Sequence, residues 1–275
     1  MLKFYDSNMK EVFLPKDYGL HYGSYPLELS VSSIEYEKRG NKRVPVGRQA
    51  SLRAFIISSN YTDMHMKIDR VFEFFRRLGE FYIASAHTPF KLLKVSVEQS
   101  YTIDFGNTVL TDFEIPLIVH KPYFKQSLHT TLDIDSEGIR WNDKWGYGMG
   151  LSSDNSEWKY SFDTDNGYAY DFKFLNAGTE AVKLIQQKES RIRVEFKVAG
   201  SWFEISDGTT TFRLNKSYVK GDVLVIRGSK VFFNGQNVLQ DTNRNFLTVK
   251  QGMNTWQTRG PKYYDFSIDF RFLYD

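Results

Sequence analysis

Five histidines are the first residues to consider for catalysis or metal binding, because imidazole is a common metal ligand and titrates near neutral pH. They stand singly, without the H-x-H or H-E-x-x-H spacing that brings two imidazoles to one ion: His21, His65, His87, His120 and His129. The chain has no cysteine, which excludes thiolate ligands, disulfides and a cysteine nucleophile. The sequence therefore predicts neither a metal site nor a cofactor.

Two acidic segments begin like calcium-binding loops. In DIDSEG, Asp133, Asp135 and Glu137 have the expected offsets, but the twelfth position, where a bidentate carboxylate belongs, is Lys144. DTDNG fails at the same position. Both segments are predicted to be turns, in which Asp and Asn side chains bond to nearby backbone. Neither G-x-S-x-G nor a Gly-rich phosphate-binding motif occurs, so no catalytic residue is predicted and the protein is not expected to be an enzyme.

All five tryptophans lie in the second half of the chain. An exposed tryptophan on a β-sheet can stack on the face of a sugar, although most tryptophans are core residues. Trp202 lies in the alternating run SWFEIS and fits a core strand. Trp141, Trp145 and Trp158 lie in turn-rich sequence, which predicts that they are exposed and contact a saccharide or a protein partner. A carbohydrate-binding sandwich is therefore one alternative function, and glycoside hydrolysis by paired carboxylates is another.

Basic residues are concentrated in one short segment. The net charge of +3 arises in residues 1–130, which hold 17 Lys and Arg against 14 Asp and Glu, whereas the remainder is balanced at 19 against 19. Much of the excess lies in EKRGNKRVPVGRQASLR, residues 37–53, where Gly and Pro punctuate the charges. This segment predicts an exposed hairpin. A nucleic-acid site is disfavoured, because it would need a whole basic face.

The elements that carry these residues are mostly strands. One helix is predicted over residues 61–80, with Thr62 or Asp63 as its cap and Gly79 at its end, because apolar residues recur there at helical spacing. A segment rich in Gly, Ser, Asp and Asn begins near residues 126–135 and shows no helical period. We place the boundary there and predict two domains, 1–130 and 131–275. Turn signals at short intervals in the second, above all Asn234–Gly235, predict a β-sandwich.

Pro116 interrupts a regular strand pattern. The segment Leu110 to Ser127, LTDFEIPLIVHKPYFKQS, alternates apolar and acidic residues before this proline. A proline cannot donate to a ladder, so its position predicts an edge strand or a bulge. An edge exposes backbone donors and acceptors, which hints at a protein partner.

The order of these elements resembles the distal tail (Dit) proteins of siphophages that infect Gram-positive bacteria. The resemblance is carried by Asp112–Phe113–Glu114–Ile115 leading into Pro122–Tyr123–Phe124, and by the run from FLNAG at 174–178 through Asn234–Gly235 to QGMN at 251–254. It implies a mainly β protein with one helix: a split-barrel-plus-helix domain shared with tail-tube proteins, followed by a galectin-like or carbohydrate-module-like β-sandwich.

The resemblance also implies a function. The protein would be a structural virion component that forms a hexameric ring between the tail tube and the tip, with a central channel for DNA. Ring contacts are expected from Pro116 and from a hairpin belt containing Arg39, Lys42, Arg43 and Arg48. The implied partners are the major tail protein, a tail-tip protein, and receptor-binding proteins or a cell-wall saccharide, although no long insertion that would hold receptor-binding proteins is evident.

The N-terminus has no hydrophobic core segment of the kind found in signal peptides, and no stretch is apolar enough to span a membrane. We therefore expect a soluble, unprocessed chain, made in the host cytoplasm and incorporated into the tail tip of the virion.

Overall fold

The computed structural model describes residues 2–15, 27–98, 100–103, 110–139, 145–146, 148–151, 158–164, 171–260 and 262–275, with only the backbone of Lys42. The chain divides into two compact units. The N-terminal unit contains Met1–Leu128 and Asp275, and the C-terminal unit contains His129–Tyr274. Within the described ranges, no helix combines the length and apolar character needed to cross a bilayer.

The N-terminal unit is built on an antiparallel sheet. Seven strands follow the order β2-β1-β7-β8-β9-β6-β3, β10 pairs with β8, and β4 and β5 form a separate two-stranded sheet. The strands are β1 (Leu2–Tyr5), β2 (Glu11–Val12), β3 (Glu28–Val31), β4 (Glu35–Arg39), β5 (Lys42–Gly47), β6 (Gln49–Ile57), β7 (Glu80–Ser85), β8 (Lys91–Val97), β9 (Leu110–Val119) and β10 (Lys125–Ser127).

Helix α1 (Tyr61–Leu78) covers the apolar face of this sheet and confirms the predicted helix. Its buried residues belong to the same core as the inward side chains of the strands: Met64, Ile68, Val71 and Phe75. The N-cap is Asn60, whose side-chain oxygen accepts a 2.9 Å bond from the Asp63 amide, so the predicted caps were wrong by a few residues. Gly79, at φ of +61°, ends the helix.

The C-terminal unit is a β-sandwich. One sheet has the order β11-β22-β14-β17-β18-β19, the other has the order β12-β21-β15-β16, and β13 pairs with β20. The strands are β11 (Ser161–Asp163), β12 (Asp171–Asn176), β13 (Val182–Lys183), β14 (Arg191–Phe196), β15 (Phe203–Ser206), β16 (Thr211–Leu214), β17 (Val223–Arg227), β18 (Lys230–Phe233), β19 (Gln236–Asn237), β20 (Thr248–Val249), β21 (Gly252–Arg259), β22 (Tyr264–Asp269) and β23 (Leu273–Tyr274).

Aromatic side chains fill the space between the two sheets. The Phe172 ring of β12 stacks on Phe266 of β22 with centroids 4.5 Å apart, and Trp256 meets Phe174 edge-on at 5.1 Å. Such pairs add to the free energy gained by burying apolar area. Asn234 and Gly235 have φ of +48° and +81°, as the predicted type I′ turn requires.

A second helix, α2 (Thr131–Glu137), occupies the segment predicted to be an acidic turn. The Asp133 carboxylate accepts the Thr130 amide at 2.9 Å, which is half of a capping box, and Ile134 is buried. The turn prediction for DIDSEG is therefore wrong. A helix of seven residues is too short to show a clear hydrophobic period, which explains the error.

Candidate functional site

The basic segment forms a hairpin that pairs only with itself among the described strands. Its backbone register runs from Arg39 opposite Lys42 at the tip to Glu35 opposite Gly47 at the root. Gly40 supplies the positive φ of +61° at the turn. All five residues of β4 are exposed. The structure thus places a separate two-stranded ribbon, with β4 fully exposed and β5 partly exposed, where the sequence predicted an exposed hairpin.

The predicted contact residues divide into two groups. Arg39 and Arg43 are exposed on the hairpin, and Arg39 forms an ion pair with Glu37 at 2.8 Å. Lys42 lies at the tip by its backbone, and its side chain lies outside the described atoms. Arg48 is different, because its side chain is only 5% exposed. The expectation that Arg48 offers a surface contact is therefore wrong.

Arg48 instead makes several contacts at the root of the hairpin. Its Nε donates to the Ser32 carbonyl at 2.9 Å, and its Nη1 donates to the Tyr123 carbonyl at 3.2 Å. Its Nη2 lies 3.5 Å from the Asp275 carboxylate. Burial lowers the pKa of this guanidinium, while Asp275 acts in the opposite direction. A buried, multiply bonded arginine of this kind holds chain segments together rather than presenting charge to solvent.

Pro116 does not lie on an edge strand, since β9 is located between β8 and β6. The ladder with β8 runs from Val95 opposite Val119 to Val97 opposite Leu117. One further bond follows, in which the Glu98 amide donates to the Pro116 carbonyl at 3.1 Å. The proline therefore sits where this ladder ends, so that only one donor is lost. The prediction of an edge strand is wrong, because the proline is tolerated at the end of the β8–β9 ladder and not at the edge of the sheet.

The solvent-facing side of β3, β6 and β9 is acidic. Arg53 stands between Glu28 on β3 and Glu114 on β9 in the strand register, and its Nη2 bonds Asp112 at 2.6 Å. The bond to Arg53 holds the pKa of the Asp112 carboxyl below its usual value. Three carboxylates thus surround one guanidinium on this face.

Two of the three predicted saccharide contacts are not on the surface. Trp145 is 2% exposed and Trp158 is 4% exposed, so neither ring can stack on a sugar, and the expectation of exposure is wrong for both. Trp145 packs edge-on against Phe272 with ring centroids 6.2 Å apart. Turn-rich sequence did not imply exposure, because a residue remote in the sequence, Phe272, packs against Trp145. Trp141 lies outside the described residues.

Sequence reasoning missed a partly exposed tryptophan on the four-stranded sheet. Trp202 lies just before β15, and the Arg213 guanidinium lies 4.9 Å from its ring centroid. Arg213 also donates to the Glu204 carboxylate at 2.8 Å and to Asn215 Oδ1 at 2.7 Å. The Arg213 guanidinium thus has partners in the Trp202 ring, a carboxylate and an amide oxygen, an arrangement typical of a surface cation–π and ion-pair cluster. The alternation of SWFEIS was assigned to the core, although only Phe203 and Ile205 point inward.

No catalytic or metal-binding constellation emerges from the described part of the chain. Within it, no three His, Asp or Glu side chains converge as metal ligands. The His129 ring lies 3.2 Å from Asp133 at the start of α2. Two shallow depressions of about 430 Å³ lie on the six-stranded sheet of the C-terminal unit. Lys197, which lines the first depression, bonds Asp163 and Asp265, which line the second, at 2.9 and 2.8 Å, so two carboxylates share one ammonium group.

Comparison with known proteins gives a family match for the C-terminal part of the chain and a likeness of fold for the whole chain. Residues 185–274 match the family described as siphovirus-type tail component, C-terminal domain. A search of curated protein sequences finds no match. Among solved structures, SPP1 Dit (gp 19.1) is 10% identical, with a TM-score of 0.59 over 98% of this chain and 99% of that chain.

Two structures of the phage p2 baseplate in its activated conformation also match. The strontium form is 10% identical, with a TM-score of 0.39 over 98% of this chain and 97% of that chain. The calcium form is 9% identical, with a TM-score of 0.36 over 98% of both chains. Residues 185–274 thus match the C-terminal domain of a siphovirus-type tail component, and the whole chain has the fold of SPP1 Dit.

Proposed function

We propose that this tail component is the distal tail hub: six copies form a ring that joins the tail tube to the baseplate, with a central channel for DNA. The observation that carries the proposal is the freestanding hairpin β4–β5. A two-stranded ribbon alone in water is marginally stable, and its two outer edges expose unpaired backbone groups. A neighbouring copy that covers the hairpin would stabilise the ribbon and pair its exposed backbone groups.

The charges on the hairpin fit this role. Lys38, Arg39 and Arg43 are exposed on a ribbon in a unit whose charges are otherwise nearly balanced. Exposed charges of one sign steer association and fix register between subunits more than they add affinity. The hairpin is therefore expected to act as a belt that selects and orients the next copy in the ring.

The acidic face of β3, β6 and β9 supports the DNA channel. Three carboxylates around one arginine repel a phosphate backbone, so DNA would pass this face without binding to it. We propose that this face lines the channel. The protein then needs no sequence-specific contact with nucleic acid.

The partners follow from a hub position. SPP1 Dit is described as a paradigm of the hub adsorption apparatus in phages that infect Gram-positive bacteria. By analogy, one face of the ring would meet the major tail protein and the other a tail-tip protein, within a virion assembled from chains made in the host cytoplasm. Receptor-binding proteins or a cell-wall saccharide would contact the sandwich, although burial of Trp145 and Trp158 removes two of the proposed contacts.

Charge reversal on the hairpin tests the proposed belt. Replacing Arg39, Lys42 and Arg43 with Glu should shift the protein from a ring to smaller species in light scattering, because each copy would then repel the surface that its hairpin covers. The fold should be retained, because exposed charges contribute little to stability.

A matched control uses three exposed cations of the C-terminal unit. Replacing Lys220, Arg227 and Lys230 with Glu changes the net charge by the same amount and should leave the assembly intact. If the hairpin variant assembles like the wild type, the hairpin is not the belt. If both variants disassemble, net charge rather than the hairpin controls assembly.

A further inference from the structure

Arg48 joins the root of the hairpin to three separate parts of the N-terminal unit. It occupies the single position between β5 and β6, so its backbone belongs to the hinge through which the hairpin leaves the sheet. Ser32, on the other side of the hinge, precedes β4 and receives the Nε bond at 2.9 Å. The Tyr123 carbonyl and the Asp275 carboxylate receive the other two nitrogens.

The hinge is closed by two further bonds. The Ser32 amide donates to the Gln49 carbonyl at 2.9 Å, and the Gln49 amide donates to Ser32 Oγ at 3.0 Å. These bonds hold the two roots of the hairpin together but leave open the direction in which the ribbon points. The bonds from Arg48 to Tyr123 and Asp275 reach outside the hinge and can fix that direction.

The length of the hairpin makes its direction sensitive to the root. Five residues at about 3.4 Å each give a ribbon of about 17 Å, so a tilt of about 10° at the hinge moves the tip by about 3 Å. A displacement of that size breaks hydrogen bonds and ion pairs at the tip, which tolerate only a few tenths of an ångström. A belt that must meet a neighbouring copy therefore needs a rigid root.

We propose that Arg48 is a positioning residue that holds the hairpin β4–β5 in one direction so that it can engage a second copy of the chain. Only arginine presents three donor nitrogens in a rigid plane, and here each nitrogen contacts a different segment. This inference rests on the proposed ring, but the direction of the hairpin can be measured in a single subunit.

The direction of the hairpin can be measured with spin labels, because the chain has no native cysteine that would react with them. Cysteines introduced at Asn41, on the hairpin tip, and at Asp69, on the exposed side of α1, are then the only sites for spin labels. Pulsed electron paramagnetic resonance on labelled protein diluted with unlabelled protein gives the tip-to-helix distance within one subunit. Light scattering on the same unlabelled variants gives the assembly state.

Arg48→Lys keeps the charge and the apolar stem but loses the planar fork. We expect the distance distribution to broaden or shift by about 3 Å or more, together with loss of the ring. Arg227→Lys makes the same chemical change at an exposed arginine of the C-terminal unit and should leave both readouts unchanged. Asp275→Ala removes one anchor of Arg48 at a side chain that is 57% exposed, so it should fold and should broaden the distribution to an intermediate extent.

An unchanged distribution in Arg48→Lys would overturn the inference, and so would a broadened distribution with wild-type assembly. A wild-type protein that forms no ring would instead contradict the proposed function, while the distance measurement would still decide whether Arg48 orients the hairpin.

Discussion

The substitution Trp145→Ala tests whether Trp145 is a core residue or a surface contact residue. A tryptophan side chain buries about 150–250 Å², which at about 25 cal/mol per Å² corresponds to about 4–6 kcal/mol. Alanine keeps part of this area and leaves a cavity, so a loss of about 3–5 kcal/mol is expected for a residue that is 2% exposed. At about 3 °C per kcal/mol, the melting temperature of the C-terminal unit should fall by about 10–15 °C.

Tryptophan fluorescence is the appropriate assay, because all five tryptophans lie in the C-terminal unit and the signal reports only its unfolding. Trp202→Ala is the matched control, since this partly exposed ring contributes mainly its contact with Arg213. It should cost about 1–2 kcal/mol in urea unfolding. Equal losses for the two variants, or a loss below about 1 kcal/mol for Trp145→Ala, would show that Trp145 is not a core residue.

Three further predictions concern pH, the proline and the domains. The bond from Lys67 lowers the pKa of Asp63 to about 2, below its unfolded value of about 4, so this carboxylate stabilises the fold above pH 4 and that contribution is lost as the pH falls from about 4 to about 2. Carboxyl NMR should give a midpoint near 2 that rises in Lys67→Met, and a wild-type midpoint near 4 would contradict this. Pro116→Val restores a backbone donor facing Glu98 but gives the unfolded chain more conformational freedom. The free energy of unfolding in urea should therefore change by less than about 1 kcal/mol, and a loss above about 2 kcal/mol would contradict the position of Pro116 at the end of the ladder. Residues 131–275 alone should melt cooperatively in calorimetry, and a broad transition without a heat-absorption peak would argue against a separate domain.

Sequence patterns predicted the elements whose conformation depends mainly on residues that are close in the sequence. Helix α1 was predicted because its apolar residues recur on one face and Gly79 can adopt a positive φ. The turn at Asn234–Gly235 was predicted because few residue pairs tolerate positive φ at two successive positions. The hairpin was predicted in outline, and the structure confines its strands to residues 35–47.

Features set by distant parts of the chain were not predicted. Pro116 is tolerated because the ladder from β8 ends beside it, which depends on the register of a strand about twenty residues earlier. Trp145 is buried and packs against Phe272, which lies near the other end of the C-terminal unit in the sequence. Arg48 looked like one more surface cation, because its acceptors Tyr123 and Asp275 are remote in sequence.

The mass of the assembled particle tests the proposed hub most directly. Six chains of 32.2 kDa give a particle of about 193 kDa, and light scattering coupled to size-exclusion chromatography should show this species, with sixfold rings in electron micrographs. A protein that remains at 32.2 kDa across the concentration range, or forms a closed species with another number of copies, would contradict a hexameric hub.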